Sequence, residues 1–338
     1  MAEPAFKQFD VVSDHSDHHF SSSVGKSGDE DDCFNMGTTV YKNIMREWKI
    51  LDKDLPDTIY VRAYDTRVDL LRAVLVGATG TPYHDGLFFF DIKFPPDYPR
   101  HPPKVHYRSH GLSINPIIYG GNICLSLLNT WIGWGYQRWN PLQSTILQVL
   151  VSLQALVLNK EPYYHDHLTF FGPLEALDSQ NYNQNVFIST CKSHLYLLRN
   201  PPKNFEDFTA EHFRRRAGDI MRACCAYASG RVEVGYYINE IDSAVTCPLS
   251  NYVSDKVKRS MEQLYPLLGE AFRRNGVEED DLMVVETSLT TTPFADQPEK
   301  KAELPHSRRF SWLFCLLPCL PWVANFEEPS EMNKAKLN

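Results

Sequence analysis

Tyr119-Gly-Gly-Asn-Ile-Cys-Leu-Ser-Leu-Leu128 carries one cysteine inside an otherwise unreactive apolar segment, and Phe94-Pro-Pro-Asp-Tyr-Pro-Arg-His-Pro-Pro103 runs ahead of it. Each proline fixes its own φ and removes a backbone donor, so the earlier stretch is a locked edge and not a strand interior. A free cysteine ordinarily packs as a small hydrophobe. Behind a proline-locked edge at this distance, Cys124 reads instead as a candidate reactive residue.

Outward from this pair, Val40, Ile44, Trp48 and Leu51 recur at helical spacing and Pro56 ends the pattern. Strand-like runs follow at 58–64, 70–76, 86–93 and 104–107, separated by Asp, Gly and Pro turns. Their short separations favour antiparallel pairing. Asn140-Pro141 reads as a cap with proline at the first helical position, and Leu142, Ile146, Val149, Leu150, Leu153 and Val157 predict a buried helix to about Leu158. Two more helices are expected, from Phe205 to Ala228 before Gly230 and from Ser254 to Asn275 before Gly276, with 231–247 strand-like or irregular between them. The fold class is α+β: a four-stranded antiparallel meander packed on helices, with a helical C-terminal extension. The predicted organisation is a disordered segment over 1–36, a catalytic domain over 37–202, the extension over 203–285, and a linker and apolar tail over 286–338.

Composition narrows the class. Apolar content of 43% and charged content of 22% are those of an ordinary globular chain, and a net charge of −8 argues against a general nucleic-acid surface. Eight cysteines occur without a CxxC pair or a secretory leader, which points to free thiols in a reducing compartment, cytoplasmic or nuclear. Asp14-His-Ser-Asp-His-His19 could chelate a metal, but a solvated segment is the plainer reading, and no metal site is assigned. The clusters Asp29–Asp32 and Glu278–Asp281 read as solvated faces. No apolar run reaches the roughly 18 residues of a spanning helix. Residues 307–323 are nevertheless a compact apolar block behind a basic pair; Trp312, Phe314, Leu316 and Leu317 could make peripheral membrane contact, strengthened by acylation at Cys315 and Cys319, or pack onto the globular part.

The stretch from Thr38 to Pro202 resembles the catalytic domain of ubiquitin-conjugating enzymes. The resemblance lies in an ordered series. An amphipathic helix comes first, then Thr81-Pro-Tyr-His-Asp-Gly86, the proline segment at 94–103, Cys124 with Leu125-Ser-Leu-Leu128 behind it, and Trp139-Asn-Pro141. Ser126 to Trp131, the 134–139 insertion, Asn159-Lys-Glu-Pro-Tyr-Tyr164 and Arg199 to Phe208 are similar to the large members that combine carrier and ligase activity, and to their plant relatives.

That resemblance implies a transferase that accepts ubiquitin as a thioester on Cys124 and passes it to lysines of target proteins, alone or with a ligase. It implies no bound cofactor, with ATP consumed upstream by the ubiquitin-activating enzyme. Thiol-to-thiol exchange is nearly balanced in energy, so Cys124 needs no catalytic dyad, and none stands at motif spacing. The family places an oxyanion-stabilising Asn in His-Pro-Asn before the cysteine. Here Ile114-Asn-Pro-Ile-Ile118 puts Ile117 at that position, and one residue is missing before Gly121. Either Asn115 or Asn122 substitutes from a shifted loop, or ligation is slow, or the chain is a carrier by descent only, with Asn115 as a structural turn residue the competing reading. Asp166 and Tyr164, on the loop after the long helix, are candidates for orienting the incoming lysine. Phe94-Pro-Pro and the 131–134 loop would flank a ligase-binding face, and Lys42 and Arg46 would meet the activating enzyme. The alternative function is a catalytically impaired relative that binds ubiquitin or a ligase as a scaffold. A cysteine hydrolase would need a His and Asn/Asp pair, which the pattern does not offer.

Overall fold

A computed structural model of the chain describes residues 6–22, 34, 36–131, 135–165, 175–230, 232–235, 253–278 and 282. A seven-stranded sheet runs in the order β1-β2-β3-β4-β5-β7-β6. Its centre is an antiparallel meander of β2 (Ile59–Tyr64), β3 (Leu70–Val76), β4 (Leu87–Lys93) and β5 (Lys104–Tyr107). A short hairpin of β6 (Ile118–Tyr119) and β7 (Asn122–Ile123) extends one edge, and β1 (Phe9–Val12) pairs parallel to β2 at the other.

Successive strand side chains face opposite ways, so a sheet buried on both faces needs apolar residues at nearly every position. Leu71, Ala73 and Leu75 of β3 and Phe88, Phe90 and Ile92 of β4 enter one core, while Val74, Leu87 and Phe89 enter another. The first core is closed by α1 (Thr39–Asp54) and α2 (Ile146–Ser152), which continues through a wider turn at Leu153–Val157. The second is closed by α3 (Glu175–Arg199), α4 (Glu206–Ala228) and α5 (Asp255–Arg274). The helices after residue 202 therefore lie in the same compact unit as the sheet.

Local signals set the helix ends. Thr38 Oγ1 accepts from Tyr41 N at the start of α1, and Pro56 follows its end. The start of α2 differs from expectation. The helix begins at Ile146 behind Thr145, whose hydroxyl accepts from Gln148 N while the Gln148 side chain accepts from Thr145 N. This reciprocal capping box is a stronger start than Asn140-Pro141, which forms a preceding turn and leaves Leu142 exposed. Helix α3 was absent from the sequence expectation. The chain at 232–235 forms a turn; the rest of 231–247, the 286–338 linker and tail, and Asp29–Asp32 lie outside the described residues.

The expectation of disorder over 1–36 is corrected for residues 6–22. This segment supplies β1 and then crosses the sheet. Arg72 and Asp91 face each other on β3 and β4, both side chains fully buried, with Nε–Oδ1 at 2.6 Å and NH2–Oδ2 at 3.1 Å. Asp17 completes the cluster through Arg72 at 2.6 Å, and His19 N donates to Asp91 Oδ2 at 2.7 Å. His18 is buried against the Leu71 carbonyl at 2.9 Å, where burial lowers its pKa to about 4 against the pull of Asp91. Buried charges persist only when paired and hydrogen-bonded, and here the N-terminal segment supplies the second carboxylate. The Asp14–His19 motif is thus built into the fold; among the described residues no group of three or more His, Cys, Asp or Glu is placed to hold a metal.

Candidate active site

Cys124 follows the β6–β7 hairpin. Tyr119-Gly-Gly-Asn122 makes a two-residue turn with φ of 55° at Gly120 and 86° at Gly121, the positive pair that suits the twist of a tight hairpin. Gly121 also lies flat against His106: a Cβ there would stand 2.2 Å from Cε1 of that ring. His106 in turn pairs with Asn122 and stacks on His19 at 3.5 Å, so the N-terminal segment backs the hairpin.

Alternation along the strand then sets the exposure of the thiol. Ile123 and Leu125 are 2% and 7% exposed and belong to the core, whereas Cys124 between them is free and half-buried. The other described cysteines, Cys191, Cys224 and Cys225, are buried in the helical core. The Cys124 N–H donates to Ile117 O at 2.9 Å. On the other side, Thr130 Oγ1 accepts from Leu125 N at 2.9 Å and donates to Ile123 O at 2.6 Å. Sequence reasoning missed Thr130; its signal was a hydroxyl residue next to Asn129, which holds a left-handed turn at φ 55°.

Motif pieces that stand apart in sequence are tied to one another and to the helices. Tyr98 and Trp139 pack ring to ring at 5.8 Å, and Trp139 Nε1 donates to Pro99 O at 2.7 Å. Tyr98 OH donates to Glu47 Oε1 at 2.8 Å, while Glu47 Oε2 accepts from Ile146 N at 3.0 Å. One buried carboxylate thus joins α1, the proline segment and the start of α2, and burial raises its pKa. The Thr81–Gly86 turn is held from α4. His84 bonds Asp85 at 2.8 Å and Tyr227 OH at 2.9 Å, and Arg216 Nε donates to Asp85 Oδ1 at 2.7 Å. Burial opposes ionisation of Asp85, but His84 and Arg216 outweigh it and hold its pKa near 2.

The remaining candidates separate. Asn115 is fully buried; its Nδ2 donates to Val157 O at 2.7 Å and its Oδ1 accepts from Ile117 N at 3.0 Å. Both bonds tie the residue to its own loop and to the turn that continues α2, and Nδ2 also lies 3.5 Å from Tyr83 OH. Ile117 packs against the core. Asn122 is exposed on the strand, two residues before Cys124 and so on the same face of it. Tyr164 sits half-buried in the short turn Pro162–His165, its backbone N–H on Glu161 O and its ring against Tyr163. Asp166 and Trp134 lie outside the described residues. Trp131 is 37% exposed, and Lys42 and Arg46 are exposed on α1.

Comparison with known proteins agrees with this arrangement. A family model described as ubiquitin-conjugating enzyme matches residues 43–186. An Arabidopsis thaliana protein named "Probable ubiquitin-conjugating enzyme E2 24" is 48% identical over 278 residues, covering 81% of this chain and 29% of its own. A second Arabidopsis thaliana relative, numbered E2 38 in the same series, is 49% identical over 231 residues, covering 67% of this chain and 68% of its own. The dual E2 ubiquitin-conjugating enzyme/E3 ubiquitin-protein ligase BIRC6 of Homo sapiens is 32% identical over 244 residues, 66% of this chain and 5% of its own. The chain spans less than half the length of several of the plant relatives it matches. Such identity to a relative matched over more than two thirds of its length makes the chain a member of the ubiquitin-conjugating enzyme family.

Proposed function

We propose that the chain accepts ubiquitin from the activating enzyme as a thioester on Cys124 and transfers it to lysines of target proteins. The observation that carries this reading is the half-buried thiol of Cys124 on a rigid hairpin between two core residues. Exposure lets a protein-borne thioester approach, and the buried neighbours hold the sulfur in place.

In the first step the Cys124 sulfur, as thiolate, attacks the thioester carbonyl presented by the activating enzyme. A new C–S bond forms, the old one breaks, and its electron pair leaves on the donor's sulfur. In the second step a neutral lysine amine attacks the same carbonyl carbon. The C–N bond forms, the C–S bond breaks with its electron pair returning to Cys124, and the amine proton passes to solvent or to a nearby base. ATP is spent before either step; Phe94 is fully buried in the core and cannot meet a partner, so a ligase would dock where Pro96 and Trp131 are exposed.

The test is incubation with activating enzyme, ATP and ubiquitin, followed by a non-reducing gel. A thiol-sensitive adduct that disappears in Cys124→Ser supports the reading; its absence from the wild type removes it. The scaffold alternative is favoured by two observations: Ile117 packs against the core, and Asn115 Nδ2 donates to Val157 O. A chain that charges but does not discharge onto free lysine would be that scaffold.

A further inference from the structure

We propose that Thr130 is a positioning residue for Cys124, fixing the peptide units on both sides of it. The proposal deepens the thioester reading and rests on it.

The Ile123 carbonyl belongs to the peptide bond that enters Cys124, and the Leu125 N–H to the peptide bond that leaves it. One hydroxyl, Thr130 Oγ1, donates to the first at 2.6 Å and accepts from the second at 2.9 Å; the Leu125 carbonyl lies farther off at 3.2 Å. The Cys124 N–H is held separately by Ile117 O. The backbone around the nucleophile is therefore pinned at three points, and a single side chain supplies two of them. The chain doubles back to make this possible. Leu128 N donates to Leu125 O at 3.0 Å, Asn129 turns left-handed, and Thr130 N closes on Leu125 O at 3.3 Å.

Thr130 is itself exposed. Its methyl group contributes little to the core, so the hydroxyl is what the position uses. Leu125 N–H and Ile123 C=O flank a reactive side chain beside two residues that are locked in the core. Without the hydroxyl they must find water or shift. The torsions of Cys124 would then be free to vary, and the sulfur would leave the geometry in which an incoming carbonyl or amine meets it. A displacement of about 1 Å at a reacting centre costs roughly 100-fold in rate in other enzymes.

The experiment compares wild type, Thr130→Val and Thr130→Ser in the full chain. Charging by activating enzyme, ATP and ubiquitin is followed by single-turnover discharge onto free lysine, and each rate is set beside the melting temperature of the same variant. Valine keeps the shape and removes both bonds; it is expected to slow discharge by about tenfold or more. Serine restores the hydroxyl and is expected to return the rate to within about threefold of wild type. Where valine fails to fold, Thr130→Ala, which admits water to both backbone groups, is expected to show the same loss. A purely structural role would lower the melting temperature and leave the rate per folded molecule unchanged. Wild-type rates in Thr130→Val, or a serine variant as slow as valine, would overturn the proposal while leaving the thioester reading intact. A wild type that never charges would overturn that reading, and this proposal with it.

Discussion

Replacing Asp91 by asparagine keeps the side chain's size, removes its charge and turns one of its two accepting oxygens into a donor, which probes how the N-terminal segment is joined to the fold. Asp91 and Arg72 have fully buried side chains and are joined by two hydrogen bonds, with Arg108 at 3.3 Å and Asp17 on the far side of Arg72. Two arginines are thus matched by two carboxylates. Asp91→Asn leaves one arginine charge uncompensated in the interior. Burial by itself would push the Asp91 pKa up, but Arg72 outweighs it and brings the value to about 2. Against an unfolded value near 3.9, that depression corresponds to about 2.5 kcal/mol. Removing one partner of a buried ion pair costs about 3–5 kcal/mol in measured cases. The two figures converge on a loss of about 3 kcal/mol at pH 7. The sign follows from the depressed pKa: the stabilisation is complete above the unfolded pKa and is lost as pH falls through the folded one, between about pH 4 and pH 2. Urea unfolding at pH 7 measures the loss, and the variant's stability should vary less than the wild type's over that acid window. A loss under about 1 kcal/mol would refute the reasoning, because the pair would then be worth no more than a surface contact.

Gly121→Ala should destabilise the chain by about 2–4 kcal/mol and depress Cys124 charging, since a Cβ would meet His106 at a left-handed φ; an unchanged urea midpoint would contradict it. His18 and His194 are held neutral by burial, with pKa values lowered to about 4 and about 3, so the unfolded chain binds their protons first and stability falls as pH drops below about 6.5. Melting temperature should therefore decline between pH 7 and pH 4, and a flat profile would show that these rings are not buried in solution. Ile117→Asn restores a side-chain amide where the family has one and should speed discharge onto free lysine by about tenfold or more. Equal rates would mean that the isoleucine does not limit the reaction.

The meander was legible because β2 to β5 are short apolar runs closed by Asp, Gly and Pro turns, a pattern that depends only on neighbouring residues. Cys124 stood out through its flanking motifs, but the Gly120-Gly121 hairpin that presents it was not foreseen. What was missed depends on distant partners. Phe9, Val11 and Val12 are flanked by charges and read as a solvated tail; β1 exists because β2, some 50 residues on, offers a parallel edge, and because Asp17 reaches Arg72. Helix α3 contains Asn181, Asn183, Asn185 and Thr190, poor helix formers whose place is decided by packing against α4 and α5. The onset of α2 was misplaced because Asn140-Pro141 resembles a cap locally, while the Thr145 and Gln148 pair satisfies two backbone donors and wins. Thr130 was missed because a threonine near a reactive residue has no periodicity and its only signal, the neighbouring Asn129, is weak; its role lies in where the turn at Asn129 delivers it.

Mapping the labile acyl group tests the central claim most directly. The full chain is charged with ubiquitin, activating enzyme and ATP, alkylated without reduction, digested and read by mass spectrometry. The account predicts that ubiquitin's C-terminal carboxyl is joined through a thiol-cleavable bond to the peptide containing Cys124, while Cys191, Cys224 and Cys225 stay unmodified. A loaded chain whose ubiquitin sits on another residue, or one in which Cys124 is alkylated at full yield after charging, would contradict it.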